Sequence, residues 1–232
     1  MNITLIGTGN MGSAFAGQLA RAGHTVRITA RDLAKAQALA TANPGAVAAA
    51  PADALSGSDV VIVATGYAEA VPALRSLGSL AGKVVIDITN PLTADYTGLT
   101  LGYNTSAAEE IAKAIPEAEV VKAFNTLFAQ VLADGPQFAD GQVAPAFFAG
   151  DSERARQTAK ALIESLGFTP VDAGPLKNAR YLEPLAGLNV YLGDGEAYYL
   201  TEGPDADAVV RSHAAIGVPI ERRDVIEVTS IV

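Results

Sequence analysis

The 232-residue chain predicts an α/β fold: a doubly wound, mostly parallel sheet with a short α+β extension at its carboxyl end. Three observations lead there. Short apolar runs alternate with helical segments of about ten residues, the pattern of parallel strands joined by right-handed crossovers. The first apolar run enters a Gly-x-Gly-x-x-Gly turn that opens an amphipathic segment. Half of the residues are hydrophobic, enough to bury a sizeable core.

Residues 2–6 read as a strand, Gly7-Thr8-Gly9-Asn10-Met11-Gly12 as its turn and residues 13–21 as a helix. In a Rossmann-type fold such a turn has three jobs. Gly7 turns tightly, Gly9 lets backbone N–H groups approach a pyrophosphate, and Gly12 permits close packing of helix on strand. The helix N-terminus then faces the negative charge, so the expected ligand is a dinucleotide. After a turn at Ala22-Gly23-His24, residues 25–29 form a second strand ending in Ala30-Arg31-Asp32. An acid at this strand end suits the ribose hydroxyls of NAD, whereas an arginine suits the 2′-phosphate of NADP. Arg31 stands there, and Lys35, four residues on, shares its helix face. NADP(H) is therefore the expected cofactor. Asp32 reads either as a displaced ribose acid or as the N-cap of a helix beginning at Leu33.

Helix is expected over 33–41, strand over 46–49 and 59–63, helix over 69–77, strand over 83–88, helix over 106–115 and strand over 119–124. Residues 145–149, 153–166 and 168–172 make a further strand-helix-strand unit, and 176–192 a helix. This places a nucleotide-binding domain at 1–192. An extension at 193–232 reads as strand (196–200), helix (205–216) and strand (224–231). So short an extension cannot bury its own face and needs either to pack on the main sheet or to pair with another subunit; dimerisation is the expectation.

Doubly wound sheets bind ligands beyond the carboxyl ends of their strands. Besides the glycine turn and 30–35, the loops there are Ala64-Thr65-Gly66-Tyr67, Thr89-Asn90-Pro91-Leu92 and Asn125-Thr126-Leu127-Phe128. With the first two holding the adenosine phosphates, Asn90, Asn125 and Thr126 are placed to orient a carboxamide. Tyr67, Leu92, Leu127 and Phe128 are placed to wall flat rings.

Lysine and arginine number 16 against 25 acids, a net charge of −9 without a basic cluster, so nucleic acid is not an expected partner. Cysteine is absent, which excludes disulfides, thiolate metal sites and cysteine nucleophiles. With neither a charged leader nor an apolar run of about 18 residues, no secretion signal or membrane span is expected, and the expected location is the cytoplasm. Of the two histidines, His24 sits in an ordinary turn and His213 has no companion ligands, so no metal is expected. No Ser-His-Asp set or Cys-His pair can be assembled, and no catalytic residue is assigned. Hydride transfer to an acceptor that needs no protein-bound acid suits such a site.

Gly7–Gly12, Ala30-Arg31 with Lys35, Asp87-Ile-Thr-Asn90-Pro91-Leu92, Ser106-Ala-Ala-Glu109-Glu110, Val121-Lys122-Ala-Phe-Asn125-Thr126 and Asp172-Ala-Gly174-Pro-Leu-Lys-Asn-Ala-Arg180 occur in that order. Together they resemble the coenzyme factor-420-dependent NADP oxidoreductases, which include deazaflavin:NADPH reductases, and the NADPH domains of six-transmembrane metalloreductases. The resemblance spans residues 1–192. It implies that Thr8, Arg31 and Lys35 hold the 2′-phosphate region, and that Asn90-Pro91-Leu92 and Asn125 border the nicotinamide. It also implies a small-molecule redox acceptor, a deazaflavin or flavin, as second substrate. Pyrroline-5-carboxylate reductases share the opening motif but continue into a long all-helical domain; this chain returns to strand-like runs. Beta-hydroxyacid dehydrogenases are disfavoured on the same ground. Residues 203–228 weakly resemble the closing half of a small ferredoxin-like domain. The rival to a reductase is a non-catalytic NADP(H)-binding protein acting through a partner.

Overall fold

Period-two alternation lets each apolar run serve two layers of helices at once. The computed structural model describes residues 1–138 and 141–192. The elements expected within 193–232, with His213, lie outside the described residues. In chain order the described elements are β1 (Asn2–Ile6), α1 (Asn10–Arg21), β2 (Thr25–Thr29), α2 (Leu33–Ala42), β3 (Ala46–Ala48), β4 (Val60–Val63), α3 (Tyr67–Ser76) and β5 (Val84–Asp87). There follow α4 (Ala107–Ala114), β6 (Glu119–Ala123), α5 (Ala129–Asp134), β7 (Pro145–Gly150), α6 (Glu153–Ser165), β8 (Thr169–Asp172) and α7 (Ala179–Leu192). Short 3-10 turns occupy Pro51–Asp53 and Leu176–Asn178.

The strands form one eight-stranded sheet in the order β3-β2-β1-β4-β5-β6-β7-β8. The order reverses between β1 and β4, which opens a crevice at the carboxyl ends of the strands. Ile3, Leu5, Val60, Ile62, Val84, Ile86, Val121 and Ala123 pack on one face with Phe15 and Leu19 of α1, Leu132 of α5 and Leu162 and Ile163 of α6. Ile6, Val61, Val63, Val85 and Val120 pack on the other with Leu74 of α3 and Ile111 of α4. Burying each such large side chain contributes about 1.5–3 kcal/mol. Several helices start where a side chain accepts from the free first-turn amides: Asp32 from Ala34 and Lys35, Ser106 from Glu109 and Ser152 from Ala155.

The structure departs from the sequence expectation in three places. First, β7 pairs antiparallel to β6, and β8 follows it in parallel, so the last two strands run against the rest. The connection, residues 124–144, carries α5, a helix of six residues, which packs beside α1 rather than crossing the sheet to the start of β6. Second, α1 begins at Asn10 rather than Ser13, so Gly12 lies inside its first turn. Third, the expected helix over 176–192 is a 3-10 turn followed by α7.

Candidate functional site

Because β1, β2, β4, β5 and β6 are mutually parallel, the five loops singled out above leave the same edge of the sheet. Backbone bonds tie them pairwise. Gly7 N–H donates to Thr29 O at 2.9 Å, and Ala64 N–H to Ile6 O at 2.8 Å.

The glycine turn is as tight as its spacing implies. Gly7 has φ +113°, and a Cβ there would lie 2.3 Å from Ala64 O. A Cβ on Gly12 would lie 2.2 Å from Gly7 O. Gly9 is different: a Cβ there would meet nothing within 4 Å, so its face of the turn is open. Gly9 is also the N-cap of α1, with no side chain accepting from the first-turn amides and no acid in that turn. Where α2, α4 and α6 begin with a capping oxygen, α1 presents bare N–H groups beside an open glycine. That fits an anionic group at the helix start.

Arg31 and Lys35 are exposed at the end of β2 and in the first turn of α2, and neither has a carboxylate within ion-pair distance among the described residues. Asp32 resolves as the N-cap: its Oδ1 accepts from Ala34 N–H at 3.0 Å and Lys35 N–H at 3.4 Å. Thr8 and Thr65 are half-buried, and Thr65 Oγ1 donates to Gly66 O at 3.0 Å. Asn10, exposed, and Met11, half-buried, open α1.

At the other end of the crevice, Asn90 and Asn125 bind each other. Asn90 Nδ2 donates to Asn125 O at 2.9 Å, while Asn125 Nδ2 donates to Asn90 Oδ1 at 3.0 Å and to Leu182 O of α7 at 2.9 Å. Both Asn125 amide protons are thus used, and flipping the amide would set oxygen against two oxygens. Its Oδ1 is buried and accepts no hydrogen bond from the chain among the described residues, as is true of Thr89 Oγ1. A carboxamide N–H2 group fits an acceptor of this kind. Phe124, immediately before Asn125, is fully buried at φ +58°, its ring edge-on to Phe15 and Phe168 at centroid distances of 5.2 and 6.3 Å. A bulky residue holds that conformation only where its surroundings over-determine it. Here the core packing fixes the turn that aims Asn125 at Asn90.

The apolar wall is divided. Leu127 belongs to the core on the α1 face of the sheet, whereas Tyr67, first residue of α3, packs against the core on the opposite face. Leu92 pairs with Leu99 in an isolated bridge behind buried Pro91, and Phe128 is the N-cap of α5. Thr126 and Leu127 line a small cleft, about 30 Å³, with Ala144, Pro145, Phe147, Leu185 and Asn189, which a ring-sized ligand enters only from its open side. The last five escaped the sequence reading because antiparallel β7 and the approach of α7 bring them there. Burial first, then the charges of Glu110, Glu183 and Asp87, raises the Tyr67 phenol above its ordinary pKa, with Lys122 opposing. Tyr67 therefore remains a protonated donor at neutral pH.

Beneath this end lies a buried ion cluster. Lys122 Nζ is 2.7 Å from Asp87 Oδ2, 2.8 Å from Glu183 Oε1 and 2.6 Å from Thr89 O, all three side chains being essentially inaccessible. Burial would lower the Lys122 pKa, but the two carboxylates outweigh it and raise it, so the ammonium stays charged. Sequence carried a signal for this cluster: Asp87 and Lys122 are the charges set inside the apolar stretches 84–88 and 120–124, and they are register partners in β5 and β6. Glu183 had no such mark. Among the described residues, no group of three or more His, Cys, Asp or Glu side chains is arranged to hold a metal. No helix among them is long and apolar enough to cross a membrane.

A family model described as NADP oxidoreductase coenzyme F420-dependent matches residues 2–91. The F420-dependent NADP reductase of Methanothermobacter marburgensis is 31% identical over 211 residues, covering 83% of this chain and 92% of that one. A crystal structure from Arthrobacter sp. FB24, described as a candidate F420 dependent NADP-reductase, superposes with TM-score 0.74 at 33% identity, covering 82% and 92% of the two chains. Rat metalloreductase STEAP3 is 31% identical over 184 residues; these cover 79% of this chain, which spans only 36% of that longer protein. With a tight glycine turn at the start of α1 and a relative matched over nearly its whole length, the chain belongs to the coenzyme F420-dependent NADP oxidoreductase family.

Proposed function

We propose that this protein transfers hydride between NADP(H) and a flat redox acceptor of the deazaflavin, flavin or quinone class. The observation that carries this reading is the convergence of five strand-end loops on one crevice. One end is a bare helix start behind Gly9, and the other is an asparagine pair beside an apolar cleft. NADP(H), when bound, supplies the hydride; the chain supplies placement. Residues Gly7 to Gly12 offer backbone N–H groups to the pyrophosphate, with Thr65 and Gly66 on the neighbouring loop. Arg31 and Lys35, with Thr8 beside them, attract the 2′-phosphate. Asn125, whose Nδ2 donates to Asn90 Oδ1 and Leu182 O, turns its Oδ1 to the carboxamide, and Pro91 and Leu92 close that side. Thr126, Leu127 and Phe128 on one face, and Tyr67 on the other, bound the acceptor and exclude water.

The test is NADPH oxidation, followed by absorbance, with deazaflavin, flavin and quinone acceptors in turn. Turnover with at least one supports the proposal. Tight NADPH binding without turnover across the panel would favour a non-catalytic NADP(H)-binding protein. The same reading places the protein in the cytoplasm as a homodimer, with 1–192 as the nucleotide-binding domain and 193–232 joining the copies. A monomeric mass of the full chain by light scattering would overturn the dimer.

A further inference from the structure

The motif residue Lys122 lines neither the glycine turn nor the apolar cleft, yet it is, with Asp87, fully buried. Its partners come from separate elements. Asp87 ends β5, Thr89 leads into the Asn90 loop, and Glu183 belongs to α7. Glu183 goes further: its Oε2 accepts from Ala107 N–H at 2.8 Å and its Oε1 from Ala108 N–H at 3.1 Å, capping the first turn of α4. Asp87 Oδ1 accepts from Thr89 N–H at 2.8 Å. Two carboxylates share one ammonium, and the first-turn amides of α4 offset the remaining negative charge. Two further ties hold the same stretch of α7: Leu182 O accepts from Asn125 Nδ2, and Arg180 binds Glu109 through Nε at 2.8 Å and Nη2 at 2.7 Å. Beyond these ties, later residues of α7, Leu185 and Asn189, line the cleft with Thr126 and Leu127.

We propose that Lys122 and Glu183 are positioning residues that latch α7 onto the strand ends and so fix Leu185 and Asn189 in the acceptor cleft. A well-packed apolar pair would stabilise the interior as well or better. What the ionic arrangement adds is directional: one ammonium with three fixed acceptors defines where α7 sits relative to β5, β6 and α4. The phosphate end of the cofactor rests on the glycine turn and α1, whereas the latch reaches the Asn90–Asn125 pair only through Thr89 O and Leu182 O. Loss of the latch should therefore act on the acceptor more than on NADPH, most of whose contacts lie at the phosphate end. This acceptor effect rests on the function proposed above, whereas the placement of α7 can be read without turnover.

The decisive variant is Glu183→Gln. Lys122 keeps Asp87 and Thr89 O, so no charge is stranded, but a glutamine has one acceptor oxygen for a place where the carboxylate used two. Hydrogen exchange of the full chain should show α7 amides opening about tenfold faster, with α1 unchanged. In turnover, the acceptor KM should rise about tenfold or more while the NADPH Kd, measured by fluorescence without acceptor, stays within about twofold. Arg180→Gln, which removes only the half-exposed tie, should move both readouts the same way by less, and it serves if Glu183→Gln does not fold. Unchanged α7 exchange in both variants would overturn the latch, whatever the enzyme turns over. Equal losses for NADPH and acceptor would also overturn it, because the cluster would then support the crevice at large. Absence of turnover in the unmodified chain would count against the proposed function alone, leaving the exchange result to decide the latch.

Discussion

Two alanine substitutions three residues apart should separate packing from ligand approach in the glycine turn. A Cβ on Gly12 would sit 2.2 Å from Gly7 O and 2.8 Å from Gly7 C, both backbone atoms that cannot rotate away. Relief requires moving α1 off the strand end by about 1 Å, an overpacking cost of ~1–3 kcal/mol. Replacing a helical glycine returns roughly 0.5–1 kcal/mol, so the net loss is at most about 2.5 kcal/mol and centres on about 1 kcal/mol. For a chain of this size a central loss of about 1 kcal/mol lowers Tm by roughly 2–4 °C. Gly9 has ordinary extended backbone, φ −76° and ψ −168°, and open space where its Cβ would lie. Gly9→Ala should therefore change stability by less than ~1 kcal/mol. Its methyl would, however, stand where the pyrophosphate approaches, and losing one charge-assisted backbone bond, ~1.5 kcal/mol, weakens NADPH by about tenfold. Thermal melts with NADPH titration of both variants provide the assay. A Gly9→Ala protein that binds NADPH with unaltered Kd would refute the assignment of that open face to the phosphate. An unshifted melting temperature in Gly12→Ala would refute the close packing.

Arg31→Glu should weaken NADPH far more than NADH, by about 1.5–3 kcal/mol; equal losses in parallel titrations would remove Arg31 from the 2′-phosphate site. Lys122→Met strands two buried carboxylates and should destabilise the fold by about 3–5 kcal/mol in urea unfolding; a change under ~1 kcal/mol would mean the cluster is solvated. Because the folded pKa of Lys122 is raised, its stabilisation is complete at neutral pH and is lost only as pH climbs above the ordinary lysine range. Glu109 behaves oppositely. Its hydrogen bond from Arg180, the largest cause, lowers its pKa, so the α4–α7 tie holds above the ordinary carboxylate range and fails as pH falls below it. Arg180→Gln should flatten that acid limb in a pH series of thermal melts, and an unaltered limb would show the tie contributes nothing.

Sequence alone determined the features governed by neighbours a few residues away. Short apolar runs marked the strands, Gly7 and Gly12 marked a turn too tight for side chains, and Asp32 allowed two readings, ribose acid or helix N-cap, of which the structure bears out the cap. Arg31 stood out for the same reason, since its place at the end of β2 follows from local pattern. Tertiary structure decided what depends on contacts between distant segments. It set β7 antiparallel, with the connecting α5 packed beside α1 instead of crossing the sheet. It assigned Tyr67 and Leu127 to opposite faces. It also brought Glu183 to Lys122 and Asn125 to Leu182, closing the cleft with α7. A charged residue in an apolar strand announces that a partner exists. Which residue answers it is set by the whole packed fold, where the cost of an unpaired buried charge exceeds any local preference.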